Sequence, residues 1–436
     1  MQRFLLVLSS CLLLAISSCS SLKVGKAIEQ SEVFNKSGFT GFMLVDPEKD
    51  KTLYAINENL YFVPASNTKL FTFYTSYKLL GEQVNALNYL ESGDSLIFWG
   101  TGDPSLLHPD LKGGQALELL GKSDKKLYLA DNFSQVRANG PGWSWSWYTY
   151  YFGAERSPLP IYGNVVRFSK AYGSGDLFLY PRYFDKLLYP DPAFTGSQPL
   201  RKFYENRFQV PLHWPDGSNF QTDKPFITSA HLTATMLRDT LGKAVEVIPY
   251  DIVKGRKPHK LPGLGTAQIY KQMMEDSDNF LAEQLLLLVS DLLTDSLSTA
   301  TAIDYAKKNL LDDLSHEPQW ADGSGLSSDN KFTPKSIIEL LGKIRAEVPE
   351  ETIFDVFPAG GTKGTIRSWY KPDEGQPAYI YAKTGTLNNS ICLSGYLLTK
   401  SGKTLYFSFM HNNYPIPSDD LKREMEKVLY RIHQRY

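Results

Sequence analysis

The sequence predicts a mixed α/β (α+β) chain of two or three domains, with α/β material at both ends and a β-rich insertion between them. Three observations carry this. A strand pair followed by a helix opens the chain after residue 38. The stretch from about Ser92 to Leu261 is rich in Tyr, Trp, Pro and Gly, with short strand-like runs. From Gly263 the pattern turns helical and closes with a strand hairpin and an amphipathic helix. At 436 residues, the chain exceeds what one small core needs.

The elements follow in order. Arg3 precedes an apolar run from Phe4 to Ile16, broken only by Ser9, Ser10 and Cys11. That run is too short to span a bilayer comfortably and reads as an export signal. It ends in Ile16-Ser17-Ser18-Cys19, small residues before a cysteine, which resembles a lipoprotein cleavage site. Cys19 is then the expected lipid attachment point, holding the protein on a membrane surface. Ordinary cleavage nearby, leaving a free protein, is the alternative. Residues 1–18 form the signal and 19–26 a tether.

Phe39–Val45 and Thr52–Ile56 read as strands around the turn Asp46-Pro47-Glu48-Lys49-Asp50. Pro64-Ala65-Ser66 opens a helix that carries Leu70, Phe71, Tyr74, Tyr77 and Leu80 and stops at Gly81. Residues 27–90 and 262–436 are assigned to one domain and 91–261 to the insertion. Met273 to Leu288 and Asp304 to Leu314 read as helical. Ala321–Asn330 reads as a loop broken by Gly323 and Gly325. Ala378–Ala382 alternates as a strand, and Ser390–Leu398 and Thr404–His411 form a hairpin. The last helix begins near Ser418, which suits a cap.

Composition narrows the function. The chain is 42% apolar and 21% charged, with 46 basic against 47 acidic residues and a net charge of −1, so no basic field attracts nucleic acid. The three Cys stand at 11, 19 and 392; once the first is cleaved and the second lipidated, no disulfide can form within the chain. The seven His have no ligand spacing and no HExxH occurs, so neither metal nor cofactor is expected.

Serine hydrolysis needs an activated hydroxyl, a base and donors for the oxyanion. Ser66-Asn67-Thr68-Lys69 places Ser66 and Lys69 on one helix face. The pattern is weak alone, because Ser-x-x-Lys begins also at Ser20, Ser123, Ser328 and Ser368. Two further motifs strengthen it: Ser328-Asp329-Asn330 in the glycine-bearing loop, and Lys383-Thr384-Gly385 at the end of the Ala378–Ala382 strand, its sole occurrence. Together they make a known serine acyl-transferase signature. Asn330 is expected to orient Lys69 or bond a substrate amide, and Ser328 to relay a proton to the leaving amine. Lys383 and Thr384 suit a terminal carboxylate, and Gly385 lets substrate approach the strand. The N–H groups of Ser66 and Thr386 are the oxyanion candidates. A second copy, Ser277-Asp278-Asn279, reads as the polar face of a helix.

The motif set resembles the low-molecular-mass class C penicillin-binding proteins, the D-alanyl-D-alanine carboxypeptidase/endopeptidase family. More than half the chain separates Ser66 from Ser328, as that family's long insertion requires. Further stretches look similar: Gly102-Asp103-Pro104-Ser105-Leu106, Gly142-Trp143-Ser144-Trp145, Ser277-Asp278-Asn279 with Ala282-Glu283, Asp322 to Ser327, Ala382 to Leu387, and Ser394-Gly395-Tyr396. The resemblance implies a transpeptidase/β-lactamase-like domain, an antiparallel sheet with helices on both sides, plus inserted domains. It implies acyl-enzyme chemistry on peptidoglycan stem peptides ending in D-Ala-D-Ala, acylation by β-lactams, and residence in the cell envelope. One departure stands out. The family often carries acids after the second Trp, facing the substrate side chain, whereas Ser146 and Trp147 follow Trp145 here. Asp103, Glu155 or another acid then recognises the stem-peptide amine. Two rivals remain: a β-lactamase or esterase of the same fold, and a non-catalytic wall-binding lipoprotein using Trp143, Trp145 and Trp147, residues that equally suit packing at a domain boundary.

Overall fold

The structure, a computed structural model, describes residues 25, 27–36, 38–173, 176–214 and 217–436. The expected export signal, Cys19 and most of the 19–26 tether lie outside the described residues.

Strands β1 (Phe39–Asp46), β2 (Lys51–Ile56), β14 (Ile380–Leu387), β15 (Ser390–Leu398) and β16 (Thr404–Asn412) form one antiparallel sheet in the order β14-β15-β16-β1-β2. β15 and β16 are buried on both faces, and the two-residue period of a strand divides its side chains between them. On β16, Leu405, Phe407 and Phe409 enter one core, with Phe34 and the apolar side of α10 (Ser418–Arg435). Tyr406 and Met410 enter the other, with α2 (Lys69–Leu80), α5 (Thr266–Glu275), α6 (Asn279–Thr294) and α8 (Pro334–Glu347). This is the antiparallel sheet with helices on both sides that the family resemblance implies.

Four differences from the expectation have local causes. The helical run through Met273–Leu288 is broken. α5 stops at Glu275, Ser277 takes a left-handed φ of 59°, and the Asp278 carboxylate caps α6 by accepting from Leu281 N at 2.9 Å. The Lys383 motif lies within β14, which runs on to Leu387, rather than at the strand's end. At α10 the cap position belongs to Pro417, and Ser418 makes no capping bond. The insertion's five-stranded sheet starts at Gln83 and ends at Gly265, wider than 91–261.

That sheet comprises β3 (Gln83–Ser92), β4 (Ser95–Trp99), β5 (Lys126–Asp131), β12 (Val245–Pro249) and β13 (His259–Gly265). It contains parallel pairs, β4 with β5 and β5 with β12, served by α3 (Gln115–Lys122) and α4 (Ala230–Leu241). The insertion is therefore α/β as well as β-rich. Two three-stranded sheets complete it. β6 (Val165–Lys170), β7 (Phe178–Tyr180) and β11 (Phe220–Pro225) form one; β8 (Leu188–Asp191), β9 (Leu200–Arg201) and β10 (Phe208–Pro211) form the other.

α2 is the hinge of the packing. Phe71 is fully buried, 4.2 Å between ring centroids from Phe332 and 5.7 Å from Trp320. It ties the helix bearing Lys69 to the 320–332 loop. Phe71→Ala is expected to lower unfolding free energy by about 3–5 kcal/mol, read as a reduced urea midpoint; an unchanged midpoint would contradict the packing role.

Candidate active site

The chain turns sharply before Ser66. Ala65 adopts a left-handed φ of 46°, and Thr68 Oγ1 donates to Ala65 O at 2.8 Å. Residues Ala65–Thr68 form a 3₁₀ turn leading into α2, which places Ser66 over the first turn of the helix. Asn67 Nδ2 donates to Lys383 O at 2.8 Å and Thr72 Oγ1 to Gly323 O at 2.6 Å, fixing this turn against β14 and the 321–330 loop.

Lys69 is fully buried. Its Nζ reaches Ser66 Oγ at 2.9 Å, Asn279 Oδ1 at 2.6 Å and Ser324 O at 2.7 Å. In the neutral amine two N–H bonds serve Asn279 and Ser324, and the lone pair is left for the Ser66 hydroxyl proton. Burial pushes the amine down to about 8, against the opposing pull of Asp278, Asp322 and Glu283. Lys383 Nζ meets Ser277 Oγ at 2.8 Å and Thr384 O at 3.1 Å. Burial, then the charge of Lys69, holds it well below the usual lysine value. Thr384 Oγ1 is 2.8 Å from Thr365 Oγ1. A side chain at Gly385 would strike Pro64 O at 2.4 Å and crowd Ser66 N at 3.2 Å, so only glycine allows the strand to approach the Ser66 turn.

β14 is an edge strand. Ala382 N donates outward to Pro358 O at 3.0 Å, and the two-residue period turns the N–H groups of Thr384 and Thr386 to that same edge. Ser66, Ser277, Asn279, Thr384 and Thr386 line one cleft of about 840 Å³.

Ser66, Lys69, Lys383, Thr384, Gly385 and Thr386 are thus brought together. Ser328 and Asn330 are not. Ser328 is exposed and absent from the cleft lining. Asn330 faces its own loop, with Nδ2 donating to Asp322 Oδ1 at 2.8 Å and Ser327 O at 3.0 Å, and Oδ1 accepting from Ala321 N at 2.7 Å. The places expected for them are filled by Ser277 and Asn279, the copy read as a helix face. The missed signal was an Asp-capped helix start within an apparently continuous helical run. Asp278 lies beneath, its carboxyl pushed up to about 6 by burial against the pull of Lys69.

A supporting layer also escaped the sequence reading. Asp322 accepts from Gly325 N and Ser327 N, each at 2.7 Å, and from Trp143 Nε1 at 2.8 Å. Glu283 accepts from Ser324 N at 2.8 Å and pairs with buried Arg156 at 3.2 Å; burial, then Asp322, pushes its carboxyl up to about 7. The acids proposed for a substrate amine are occupied elsewhere. Asp103 is buried and accepts from Ser105 Oγ at 2.8 Å, and Glu155 accepts from Thr228 N and Oγ1, each at 2.8 Å. Trp143 packs at the domain boundary, whereas Trp145 is 76% exposed and Trp147 lines the cleft.

A serine, a depressed lysine on the next helical turn and a Lys-Thr-Gly edge strand define a serine hydrolase of the penicillin-binding and β-lactamase fold class. Within that class, the D-Ala-D-Ala carboxypeptidase 3 (S13) family matches residues 22–182 and 264–435, and the chain belongs to it. It is similar to the D-alanyl-D-alanine carboxypeptidase DacB of Haemophilus influenzae, 23% identical over 427 residues covering 86% of this chain and 85% of that one. Carboxypeptidase DacB of Mycolicibacterium smegmatis is 30% identical over 151 residues, a third (33%) of each chain, so this chain spans only that share of the relative. The crystal structure of penicillin binding protein 4 (dacB) from H. influenzae superposes with a TM-score of 0.73 at 20% identity, covering 95% of this chain and 99% of the other. The same protein complexed with a β-lactam gives 0.66 at 19%, covering 94% and 98%.

Because Lys69 must be neutral to accept the Ser66 proton, the rate of Ser66 modification by an acylating reagent is expected to rise about tenfold per pH unit and level off above about pH 8. A profile that stays flat between about pH 6 and about pH 9 would remove Lys69 as the base.

Proposed function

We propose that the protein is an exported serine D-Ala-D-Ala carboxypeptidase, with or without D,D-endopeptidase activity, acting on peptidoglycan stem peptides. One observation carries the reading: the Lys69 amine, Ser66 hydroxyl and Asn279 amide meet in a cleft whose other wall is the open edge of β14.

The peptide adds to that edge as a strand, and its terminal carboxylate reaches Thr384 and Lys383, whose proton affinity the carboxylate restores. Neutral Lys69 takes the Ser66 proton as Oγ attacks the penultimate D-Ala carbonyl. The N–H groups of Ser66 and Thr386 receive the oxyanion. Ser277, bonded to Lys383, passes a proton to the departing amine, and water then releases the acyl group from Ser66. A β-lactam carbonyl opens by the same attack, its ring amide taking the leaving-group role, so penicillin labels Ser66 covalently. The lipid on Cys19 holds the enzyme at an envelope membrane.

Ser66→Ala is expected to abolish both D-Ala release and labelling by a fluorescent penicillin; label found on another serine would overturn the assignment. Ser277→Ala and Asn279→Ala should each slow acylation about 100-fold or more. Ser328→Ala should leave it close to the wild-type rate. An equally large loss in Ser328→Ala would restore the loop copy of the motif. Cys19→Ser is expected to move the protein from the membrane pellet to the soluble fraction, and unchanged sedimentation would remove the lipid anchor.

A further inference from the structure

The insertion carries a second recess, of about 410 Å³, lined by residues 221–224 of β11, by Gln198 and by Tyr150 and Tyr151. Tyr151 lines the Ser66 cleft as well, so one side chain belongs to both. Tyr150 is exposed and stacks on Phe152, another cleft residue, at 5.3 Å. β11 is the edge strand of its sheet. Phe226 N donates to Asn164 O at 3.1 Å just beyond the β11–β6 pair. Antiparallel alternation from that bond sends the backbone groups of Thr222 and Lys224 inward to β6. The N–H and C=O groups of Gln221 and Asp223 then face outward, and they have no backbone partner among the described residues. An extended peptide can pair with such an edge.

Lys224 gives the recess its charge. The residue is only 6% exposed, and its Nζ donates to one amide oxygen, Gln198 Oε1, at 3.3 Å. It forms no ion pair among the described residues, and burial lowers its affinity for a proton. The acid beside it is taken. Arg167 holds both Asp223 oxygens, Nε on Oδ1 at 2.8 Å and Nη2 on Oδ2 at 2.7 Å, and also pairs with Asp110. A buried ammonium without a counter-charge is unfavourable, and a ligand carboxylate supplies the missing partner through a charge-assisted hydrogen bond. A ligand ammonium finds no free acid here, because Asp223 is already neutralised. The recess therefore favours an acidic group over a basic one.

We propose that the open edge of β11 and the Lys224 ammonium form a second peptide-binding site, beside the Ser66 cleft, for an extended peptide that carries a carboxylate. That this peptide is a peptidoglycan stem, either the one being cut or a neighbour, rests on the activity proposed above. The test has two arms, both on the full-length protein. In the first, synthetic peptides ending in D-Ala-D-Ala carry either a carboxylate or its carboxamide several residues upstream, and D-Ala release is followed. In the second, with penicillin present, an acidic peptide lacking D-Ala-D-Ala, or its carboxamide, is titrated by calorimetry. The carboxylate is expected to be favoured about tenfold, in kcat/KM through KM or in Kd. The preference should vanish in Lys224→Gln and persist in Lys224→Arg. A preference in the first arm alone assigns the carboxylate to the stem being cut; one in the second arm assigns it to a neighbouring stem. Equal behaviour of carboxylate and carboxamide in both arms of the wild type, a comparison that needs no variant, overturns the site. So does a preference that Lys224→Gln retains. No D-Ala release, with a Lys224-dependent preference in the second arm, overturns the activity and leaves the site standing. No release and no preference in the second arm overturns both.

Discussion

The Lys69 amine lies in the interior with Ser66 Oγ, Asn279 Oδ1 and Ser324 O around it, and each partner arrives on a different segment of chain. A buried ammonium is costly, and a buried amine that touches a carboxylate stays protonated. Here Asp278, Glu283 and Asp322 are near enough to raise its proton affinity, yet its hydrogen bonds go to a hydroxyl, an amide and a carbonyl. The balance keeps the amine at about 8, low enough to act as a base and high enough to take a proton. Three uncharged partners around one nitrogen are therefore the condition that the surrounding helices, loop and turn must satisfy together.

The insertion takes part in meeting that condition. Asn279 is held by Phe152 O, and Gln284 donates to Gly102 O at 2.7 Å and Ser157 O at 2.9 Å. Arg156 reaches Glu283, which in turn receives Ser324 N, the residue whose carbonyl accepts from Lys69. Trp143 reaches Asp322 on the other side of the loop. The face of α6 behind the site is thus built half from residues near 102 and 143–157. A buried ion pair such as Arg156–Glu283 adds little net stability, but losing one member leaves a charge stranded beneath Lys69. The inserted domain is part of the site's rigid floor, and it also supplies one wall of the cleft.

The sheet, its flanking helices and the site residues Ser66, Lys69, Lys383, Thr384, Gly385 and Thr386 were legible because they rest on short-range patterns. Alternation marks β15 and β16, helical spacing marks α2, and Lys-Thr-Gly occurs once. The middle motif was misread because two copies of Ser-Asp-Asn compete, and the choice turns on tertiary packing. Asp278 caps a helix within a run whose apolar spacing continues across the break, so periodicity alone hides the turn at Ser277. At 330 the same tripeptide folds onto Asp322 and stabilises a loop. The pairing of Arg156 with Glu283 and of Trp143 with Asp322 had no local signature, since partners 127 or more positions apart announce nothing to one another in sequence.

The open edge of β14 follows from the same geometry. An unpaired strand edge invites association, and proteins usually cover it. Here residues 358–360 cover the first part, through Gly360 N to Ile380 O at 2.9 Å and Ala382 N to Pro358 O. Coverage stops where the motif begins, and the following outward groups, on Thr384 and Thr386, face the cleft. The exposed edge is therefore about one substrate peptide long, and Gly385 brings its back to within contact of the Ser66 turn. A longer bare edge would accept chains indiscriminately; a fully covered one would leave no room for an added strand. Specificity for an extended peptide terminus thus begins in the backbone, before any side chain reads the ligand.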